Sequence, residues 1–389
     1  MTLSRPGRSL LLLAPLFLFL VVFFVWPLFT MMSQSVTDSA VLRLLPRSAE
    51  TIGAWDRQSA PSAAMEEALV ADLAEVDDEQ ALGDMVRRLN SAQPGFRTLM
   101  TKTMSAVRAG ALPPEGLAGV DARWQRPEFW VAIAGALSPY TDRNLLAALD
   151  LGRDTGGSIV QLPADQSVNR VIMLRTFAIS GLVTLACVAI GFPYALVMAS
   201  TSGWRRDLLL AAVLLPLWTS LLVRTAAWFI LLQEQGLIND LLQSLGLTAG
   251  PIQLIFNRTG VIIAMTHVLL PFMVLPIYST LITIPRNLMP AAASLGAHPL
   301  RAFVRVLLPL SLRGVASGCL LVFISAIGYY ITPALIGGPG DQMISSIIAF
   351  YALGSANWGM AGALGVVLLV ATLLLYSVYA RLSAERAER

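Results

Sequence analysis

Long uninterrupted runs of apolar residues dominate the pattern along this chain of 389 residues. A helix needs roughly 20 apolar residues to cross a hydrocarbon core of about 30 Å. Six runs are long enough, and they predict membrane-spanning helices over residues 10–32, 171–200, 208–232, 260–284, 315–336 and 359–380. The pattern therefore predicts an all-α polytopic membrane protein with six transmembrane helices.

Residues 33–170 follow a different pattern, because their apolar positions recur at the three- and four-residue spacing of amphipathic helices. A later stretch, RPEFWVAIAGALSPYTDRNLLAALDL, predicts a helical unit broken at Pro139. We expect a tail and first span at 1–32, a mostly helical domain at 33–170 and a five-helix membrane core at 171–389. The amphipathic spacing is carried by Leu69, Leu73, Val76, Leu82, Met85, Val86 and Leu89.

Composition strengthens the membrane assignment, since 56% of the residues are hydrophobic, 13% are charged and the mean hydropathy is +0.68. The first apolar run is longer than the core of a signal peptide and lacks a small-x-small cleavage motif. We therefore expect an uncleaved span there. Cys187 and Cys319 both fall inside spans, so we expect no disulfide.

The distribution of arginines predicts the orientation, because basic residues in short loops resist translocation. With the N-terminus inside, eleven arginines lie in cytoplasmic segments, and only Arg258 lies in a short outer loop. Both termini are then cytoplasmic, and residues 33–170 are extracytoplasmic. Residues 33–169 carry 18 acidic and 12 basic side chains, a net charge of −6, which we interpret as an ordinary solvated surface.

Few residues suit catalysis. His267 and His298 lie on different elements, and no HExxH, paired-cysteine or GxSxG motif occurs. The only lysine, Lys102, follows no glycine-rich loop, so the chain cannot be its own P-loop ATPase. We expect no enzyme activity, no metal or other cofactor and no nucleic-acid partner. If the chain performs energised work, its energy comes from a partner subunit or from an ion gradient.

The stretch MPAAASLGAHPLRAFVRVLLPLSLRG, at 289–314, is basic and lies between two spans. Pro290 suits a first helical turn, and Gly296 permits a tight bend. A second helical piece places apolar residues opposite Arg301 and Arg305. From these residues alone, two interpretations are equally good. The stretch is either an ordered loop with a specific function or a basic amphipathic linker that lies on lipid headgroups.

The same stretch resembles the EAA loop of permease subunits of binding-protein-dependent ABC importers. In that family the loop follows the pattern Glu-Ala-Ala, three residues, Gly, nine residues, an apolar residue, any residue and Leu-Pro. Here Pro290 replaces the glutamate, and the other matches are Ala291, Ala292, Gly296, Val306, Leu308 and Pro309. The resemblance implies a coupling loop at 285–313 that docks in a groove of an ATPase subunit. Its coupling residues are Pro290, Ala291, Ala292, Ala293, Gly296, Ala297, Arg301, Phe303, Arg305 and Pro309.

Five further stretches resemble the spermidine/putrescine branch of this family. In order they are LPLWTSLLVRTAAW at 215–228, GLINDLLQSLGL at 236–247, VLLPFMVLPIYSTL at 268–281, ITPALIGGP at 331–339 and ANWGMAGAL at 356–364. The resemblance implies a type I ABC importer permease fold in the bacterial inner membrane, in contact with membrane lipid. It also implies a second permease subunit flanked by the first span, two ATP-binding subunits and a periplasmic solute-binding protein.

Prolines within the spans free backbone groups at membrane depth, and these groups must meet protein or water. Each proline therefore indicates either a helix that lines a translocation pathway or a kink packed against neighbouring helices. Arg224 either lines this pathway or extends to the outer surface, and the sequence leaves both open. Four aromatic residues either line the pathway or pack: Trp218, Tyr278, Tyr329 and Tyr330.

For His267 and for the outer segment 236–247, the sequence indicates a more specific role. His267, in the middle of a span, is expected to hydrogen-bond a neighbouring helix rather than to relay protons. The outer segment 236–247 resembles part of the family's periplasmic gate, which receives the binding protein. The gate residues expected here are Gly236, Leu237, Asn239 and Leu241.

Two other classes of membrane protein predict different sequences. An ion-coupled secondary transporter would carry carboxylates at membrane depth, yet all six acidic residues outside 33–170 lie in loops or in the tail. A sensor or receptor would carry a large cytoplasmic output domain, and only nine residues follow Ala380. We expect neither class.

The solute is the least determined feature. Relatives that move polyamines commonly carry an acid in a Gly-Asp/Glu-Phe-aliphatic-x-Pro run, whereas this chain has GYYITP, with Tyr329 at that position. Cation–π contacts from aromatic rings can compensate for the lost charge, while Arg224 would oppose a dication. We favour a polyamine or a related amine, with an amino-acid-like or anionic solute as the alternative.

Overall fold

The computed structural model describes residues 5–53, 55–57, 59–154, 158–165 and 167–385. Within these residues regular structure is helical, except for an isolated bridge and one antiparallel strand pair, Leu151–Arg153 with Ile159–Gln161. The predicted all-α class is confirmed.

Among the described residues, five helices are long and apolar enough to cross a membrane, and the number is six if one bent pair counts as a single span. In chain order, the first to sixth spans are Leu13–Ser33, Asn169–Ser200, Trp204–Trp218 with Leu221–Leu231, Arg258–Thr283, Pro299–Gly328 and Trp358–Ser377. Each predicted run is therefore found as apolar helix. Shorter helices between the later spans are Leu237–Ser244, Leu288–Ser294, Ile331–Ile336 and Ile344–Ala349.

The third span is not the continuous helix predicted over 208–232, because its two helices meet at an angle of 101°. Thr219 and Ser220 join them in extended conformations. Ser220 Oγ accepts a hydrogen bond from Val223 N at 3.2 Å, and Thr219 Oγ1 donates to the Pro216 carbonyl at 3.0 Å. Serine is a strong helix N-cap, so a new helix begins here.

The fifth span also differs from its predicted run, 315–336. Its helix extends from Pro299 to Gly328, and a separate helix covers Ile331–Ile336. Pro333 explains the break, because a helical proline has no N–H for the carbonyl four residues earlier and its ring clashes with that carbonyl. The affected carbonyl is that of Tyr329.

Two serines satisfy the carbonyl groups at this break. Ser345 Oγ donates to the Tyr329 carbonyl at 2.6 Å, and Ser346 Oγ donates to the Tyr330 carbonyl at 3.2 Å. A non-helical backbone at membrane depth persists only where such protein contacts meet it. The break is therefore stabilised by specific hydrogen bonds within the protein.

The second, fourth and fifth spans pack around one apolar core. A Cβ atom added at Gly314 would lie 2.8 Å from the Pro276 carbonyl oxygen, and one at Gly318 would lie 3.1 Å from the Met273 carbonyl oxygen. Small residues four positions apart permit such close approach between membrane helices. Gly314 and Gly318 therefore set the separation of the fourth and fifth spans.

Residues 33–147 contain a bundle of short helices with its own core. The predicted amphipathic positions Leu69, Leu73, Met85 and Leu89 are buried in it. The predicted break near Pro139 is also present, between the last two helices. The helices are Pro46–Gly53, Ala63–Ala74, Glu79–Ala92, Phe96–Arg108, Leu117–Val120, Pro127–Ala136 and Arg143–Ala148.

Two fully buried tryptophans occupy the centre of this bundle. The rings of Trp124 and Trp130 lie 5.4 Å apart, and Phe96 packs edge-on against Trp124. Both indole N–H groups are paired: Trp124 Nε1 donates to Thr103 Oγ1 at 2.9 Å, and Trp130 Nε1 donates to the Trp124 carbonyl at 2.8 Å. The two tryptophans thus bury large apolar area while both of their indole N–H groups are paired.

A charged contact fixes the turn before these tryptophans. Asp121 accepts hydrogen bonds from Arg123 Nε and Nη2 and from Lys102 Nζ, each at 2.9 Å. The hydrogen bonds from Arg123 hold the pKa of the Asp121 carboxyl far below its ordinary value. The carboxylate therefore stabilises the fold only while it is ionised.

The chain divides into two compact units: Met1–Ala147 with Trp358–Val366, and Ala148–Asn357 with Val367–Arg389. In the first unit, Cβ atoms added at Gly359 and Gly362 would lie 2.5 Å from Asn144 Nδ2 and 2.6 Å from the Met31 carbonyl oxygen. The start of the sixth span therefore packs on the end of the first. These units divide the chain elsewhere than the expected boundaries at 32 and 170, which stay predictions.

In the second unit, a buried carboxylate caps the second span. Asp150 Oδ1 accepts from Asn169 N at 2.9 Å, and Asp150 Oδ2 accepts from Arg170 N at 2.8 Å. A negative charge at this position also interacts favourably with the positive end of the helix dipole. The segment before the second span is thus fixed to the start of that helix.

We expect Gly318→Leu to destabilise the membrane core by about 1–3 kcal/mol or more, because the added side chain meets backbone atoms of the fourth span. Thermal unfolding and size-exclusion chromatography of the purified chain measure this effect. Gly181→Leu is the matched control, since nothing lies within 4 Å of a Cβ added at Gly181. Equal melting temperatures for the two variants would contradict the close-packing role of Gly318.

We expect Asp121→Asn to lower the stability of the chain by about 1–3 kcal/mol near pH 7, because it removes charge-assisted hydrogen bonds. Since the folded-state pKa is depressed, this contribution is present above the unfolded-state pKa of about 4 and is lost as pH falls below it. The gap between parent and variant in thermal unfolding should narrow in acid. Asp84→Asn, which removes an exposed ion pair with Arg87, is the control. A gap that does not change with pH would refute the assignment.

Candidate functional site

The loop between the fourth and fifth spans begins with the helix Leu288–Ser294. Gly296 ends it with a φ of +81°, in the left-handed region. Gly296 N donates to the Ala293 carbonyl at 2.9 Å, and Ala297 N donates to the Ala292 carbonyl at 3.0 Å. These two bonds form a Schellman motif, so the bend expected at Gly296 is present and favours glycine.

The second half of the loop is anchored to the membrane core. The helix Pro299–Ala302 continues through a π-helical turn, Phe303–Leu307, into the helix of the fifth span at Leu308. The Phe303 ring packs edge-on against Phe192 of the second span, with centroids 6.2 Å apart. The loop is therefore an ordered structure with a fixed position on the core.

The outer surface of this loop is apolar at its tip and basic beside it. Leu295 is 89% exposed and Leu300 is 66% exposed, and Arg301 and Arg305 are also exposed. Leu295 is a prominent feature that the sequence reasoning missed. Among the predicted coupling residues, Ala292, Ala297 and Phe303 are partly buried, and the exposed ones are Pro290, Ala291, Ala293, Gly296, Arg301, Arg305 and Pro309.

Some predicted pathway residues form a cluster in the membrane core. Arg224 lies close enough to His267 and Tyr329 for its charge to act on both rings. Trp228 Nε1, one helical turn beyond Arg224, donates to His267 Nδ1 at 3.1 Å. His267 thus bonds a neighbouring helix, as expected. Trp228 was not predicted, although its four-residue spacing from Arg224 places it on the same helix face.

A second polar contact joins the broken spans. Thr225, next to Arg224, and Thr332 are both buried, and their hydroxyl oxygens lie 3.2 Å apart in a hydrogen bond. It connects the second helix of the third span with the short helix that follows the fifth. Both breaks described above therefore lie beside the same polar cluster.

The other predicted pathway residues are not all brought to this cluster. Trp218 is 80% exposed at the bend of the third span. Tyr278 lies close to Arg206, at the start of that span. Tyr330 follows Tyr329 at the break and is partly exposed. The structure thus places Arg224 near Tyr329, whereas Tyr278 lies near Arg206, at the start of the third span.

The predicted gate residues lie on the amphipathic helix Leu237–Ser244. Asn239 is fully buried: its Nδ2 donates to the Gln233 and Ile252 carbonyls, and its Oδ1 accepts from Ile252 N. A Cβ added at Gly236 would lie 2.5 Å from the Leu231 carbonyl oxygen. These two residues fix the helix, while Leu237 and Leu241 are exposed on it.

No group of three or more His, Cys, Asp or Glu side chains that could hold a metal occurs within the described part of the chain. The polar cluster in the core contains only neutral and basic side chains. Its chemistry is hydrogen bonding and electrostatics, which suits solute contact or helix packing.

Comparison with known proteins links these features to a family. Residues 191–387 match the family described as binding-protein-dependent transport system inner membrane component. The spermidine/putrescine transport system permease protein PotB of Haemophilus influenzae is 36% identical over 210 residues, covering 54% of this chain and 73% of that protein. PotB of Escherichia coli is 34% identical over 212 residues, covering 54% and 77%. The probable sulfate transport system permease protein cysT of Nephroselmis olivacea is 30% identical over 236 residues, covering 56% and 80%.

The matched range contains the loop with the bend at Gly296, both broken spans and the polar cluster. The curated relatives are permease subunits of transport systems, and the apolar helices of this chain agree with a multi-pass inner-membrane protein. The chain therefore belongs to the family of inner-membrane permease components of binding-protein-dependent ABC transport systems.

Proposed function

We propose that this permease is the membrane-spanning subunit of an ATP-driven importer and forms the translocation pathway for a small organic solute. A periplasmic binding protein delivers the solute, and separate ATPase subunits supply the energy. The observation that supports this most directly is the ordered loop at 285–313, whose Schellman bend presents an exposed leucine beside two exposed arginines. The chain's only lysine follows no phosphate-binding loop, which agrees with ATP hydrolysis by a partner.

The loop suits docking into a protein groove. Leu295 projects from the bend, and Arg301 and Arg305 are long cations that can pair with carboxylates at the groove's rim. The helix Leu288–Ser294 is too short to be stable alone, so its ordered cap matters to the shape it presents. Replacement of the family's glutamate by Pro290 removes one polar contact and leaves the apolar one.

The arginine distribution supports an orientation with both termini in the cytoplasm. The loop 285–313 then faces the ATPase subunits, and the helical domain lies outside. No described residue of the first span is buried, from Leu13 to Ser33. A second permease subunit, flanked by this span, would cover it.

Transport follows from movement of helices around the pathway. Closure of the ATPase subunits would pull on the coupling loops of both permeases and rock the helix bundles between inward and outward access. The bend at Thr219–Ser220 and the break at Tyr329–Tyr330 offer positions where backbone angles can change without breaking a continuous helix. The exposed leucines of Leu237–Ser244 would form part of the outer gate and the surface that receives the binding protein.

A polyamine or a related amine is the solute that the relatives favour, because PotB proteins carry spermidine and putrescine in their name. The exposed and partly exposed rings of Trp218, Tyr329 and Tyr330 can contribute cation–π contacts of about 0.5–2 kcal/mol each. Arg224 favours the second candidate, an amino-acid-like or anionic solute, because its charge opposes a dication.

We expect Gly296→Asp to abolish uptake while the chain still inserts in the membrane, because it forces a side chain with a negative charge onto the left-handed bend. Uptake of labelled putrescine and spermidine by the complete importer, and co-purification of the ATPase, measure the effect. Gly110→Asp is the matched control. Gly110 ends the helix Phe96–Arg108 with the same pair of hydrogen bonds and a φ of +61°. Normal uptake and normal ATPase co-purification in Gly296→Asp would remove the coupling role.

We expect protease added outside spheroplasts to cleave an epitope inserted at Gly110 and to spare one placed after Glu385. Gly110 has a φ of +61° and nothing within 4 Å of an added Cβ, so an insertion there meets open space. Lysed spheroplasts, in which both epitopes are cleaved, provide the control. Cleavage of only the C-terminal epitope in intact spheroplasts would reverse the proposed orientation.

A further inference from the structure

Arg224 is a charged side chain with two unpaired nitrogens. Its Nε and Nη1 atoms are shielded from solvent and have no hydrogen-bond acceptor among the residues that the structure describes. The residue lies in the first turn of the helix Leu221–Leu231, near the positive end of that helix's dipole. Arg224 is partly buried, and donors shielded from solvent without an acceptor carry a desolvation cost that a partner would offset.

The neighbours of Arg224 do not supply a negative charge. His267 Nδ1 accepts from Trp228 Nε1, so a neutral ring carries its proton on Nε2 and cannot act as a counter-ion. Tyr329 contributes a neutral hydroxyl. The six apolar runs contain neither aspartate nor glutamate. A negatively charged acceptor for Arg224 therefore comes from outside the spans of this chain.

Two other arginines in the membrane part, unlike Arg224, donate hydrogen bonds to oxygen acceptors of this chain. Arg175 Nη1 donates to the Gln342 carbonyl at 3.4 Å. Arg258 Nε donates to Asp341 Oδ1 at 3.1 Å, in a salt bridge. The fold thus provides oxygen acceptors for these two side chains. The unpaired nitrogens of Arg224 are a specific feature of the polar cluster.

We propose that Arg224 binds a carboxylate group that enters the polar cluster from another molecule. A carboxylate satisfies guanidinium donors with charge-assisted hydrogen bonds, which are about twice as strong as neutral ones. Its source is either the transported solute or an acidic side chain of the second permease subunit. This inference rests on the proposed function, and it narrows the solute to a carboxylated amine in the first case.

Putrescine and ornithine distinguish these two sources, because the two diamines differ by a single carboxylate group. Uptake of each labelled compound is measured in the complete importer, with the parent chain, Arg224→Gln and the control Arg175→Gln. If the solute supplies the carboxylate, Arg224→Gln lowers ornithine uptake by about tenfold or more and leaves putrescine uptake at the control level. If the second permease supplies it, uptake of both compounds falls equally.

A measurement without solute tests the site itself. The purified chain alone, in lipid nanodiscs, carries the unpaired charge, so we expect Arg224→Gln to raise its melting temperature by about 2 °C or more. Arg175→Gln removes a partnered donor and should not raise the melting temperature. A melting temperature that falls in Arg224→Gln, or unchanged uptake of both diamines, overturns the carboxylate site. If the parental importer takes up neither diamine, the amine solute is wrong, while the melting temperature still decides the site.

Discussion

The requirement that backbone groups at membrane depth find partners explains the main departures of this fold from six straight helices. Where the third span turns, Ser220 caps the new helix and Thr219 meets a carbonyl of the old one. Where the fifth span ends, Ser345 and Ser346 take the carbonyls freed before Pro333. The interruptions are stable because polar side chains replace the missing helical bonds, and they bring Arg224 and Tyr329 together.

Much of the fold could be predicted from the sequence, because hydrophobic length and periodicity respond to a single strong constraint, the apolar core. All six apolar runs, and the buried positions Leu69, Leu73, Met85 and Leu89 of the helical domain, were predicted this way. The breaks were missed because hydropathy stays high through Thr219 and Tyr329. Local signals did exist there: a serine with cap propensity in WTSLL, and a proline four residues after Tyr329.

The site was predicted only in part. A sequence motif identifies the loop and its bend, but it does not show which side chains on different helices contact each other. The bend at Gly296 follows from local backbone chemistry, and it is present. The contact of Trp228 with His267 joins residues 39 positions apart and depends on how two helices cross. Tyr278 was expected near the same residues because it lies in a matching stretch, and in the fold it lies close to Arg206. Its pathway role stays a prediction.

The close contact of Gly314 and Gly318 with carbonyl oxygens of the fourth span has a mechanical consequence. Backbones held at this distance leave little room for a displacement, because Thr280 Oγ1 and Met273 Sδ occupy the remaining space between them. The loop that carries Gly296 connects these same two helices, so a force applied to the loop moves both helices together. The bend of the third span and the break at Tyr329–Tyr330 are the interruptions where such a movement can be accommodated.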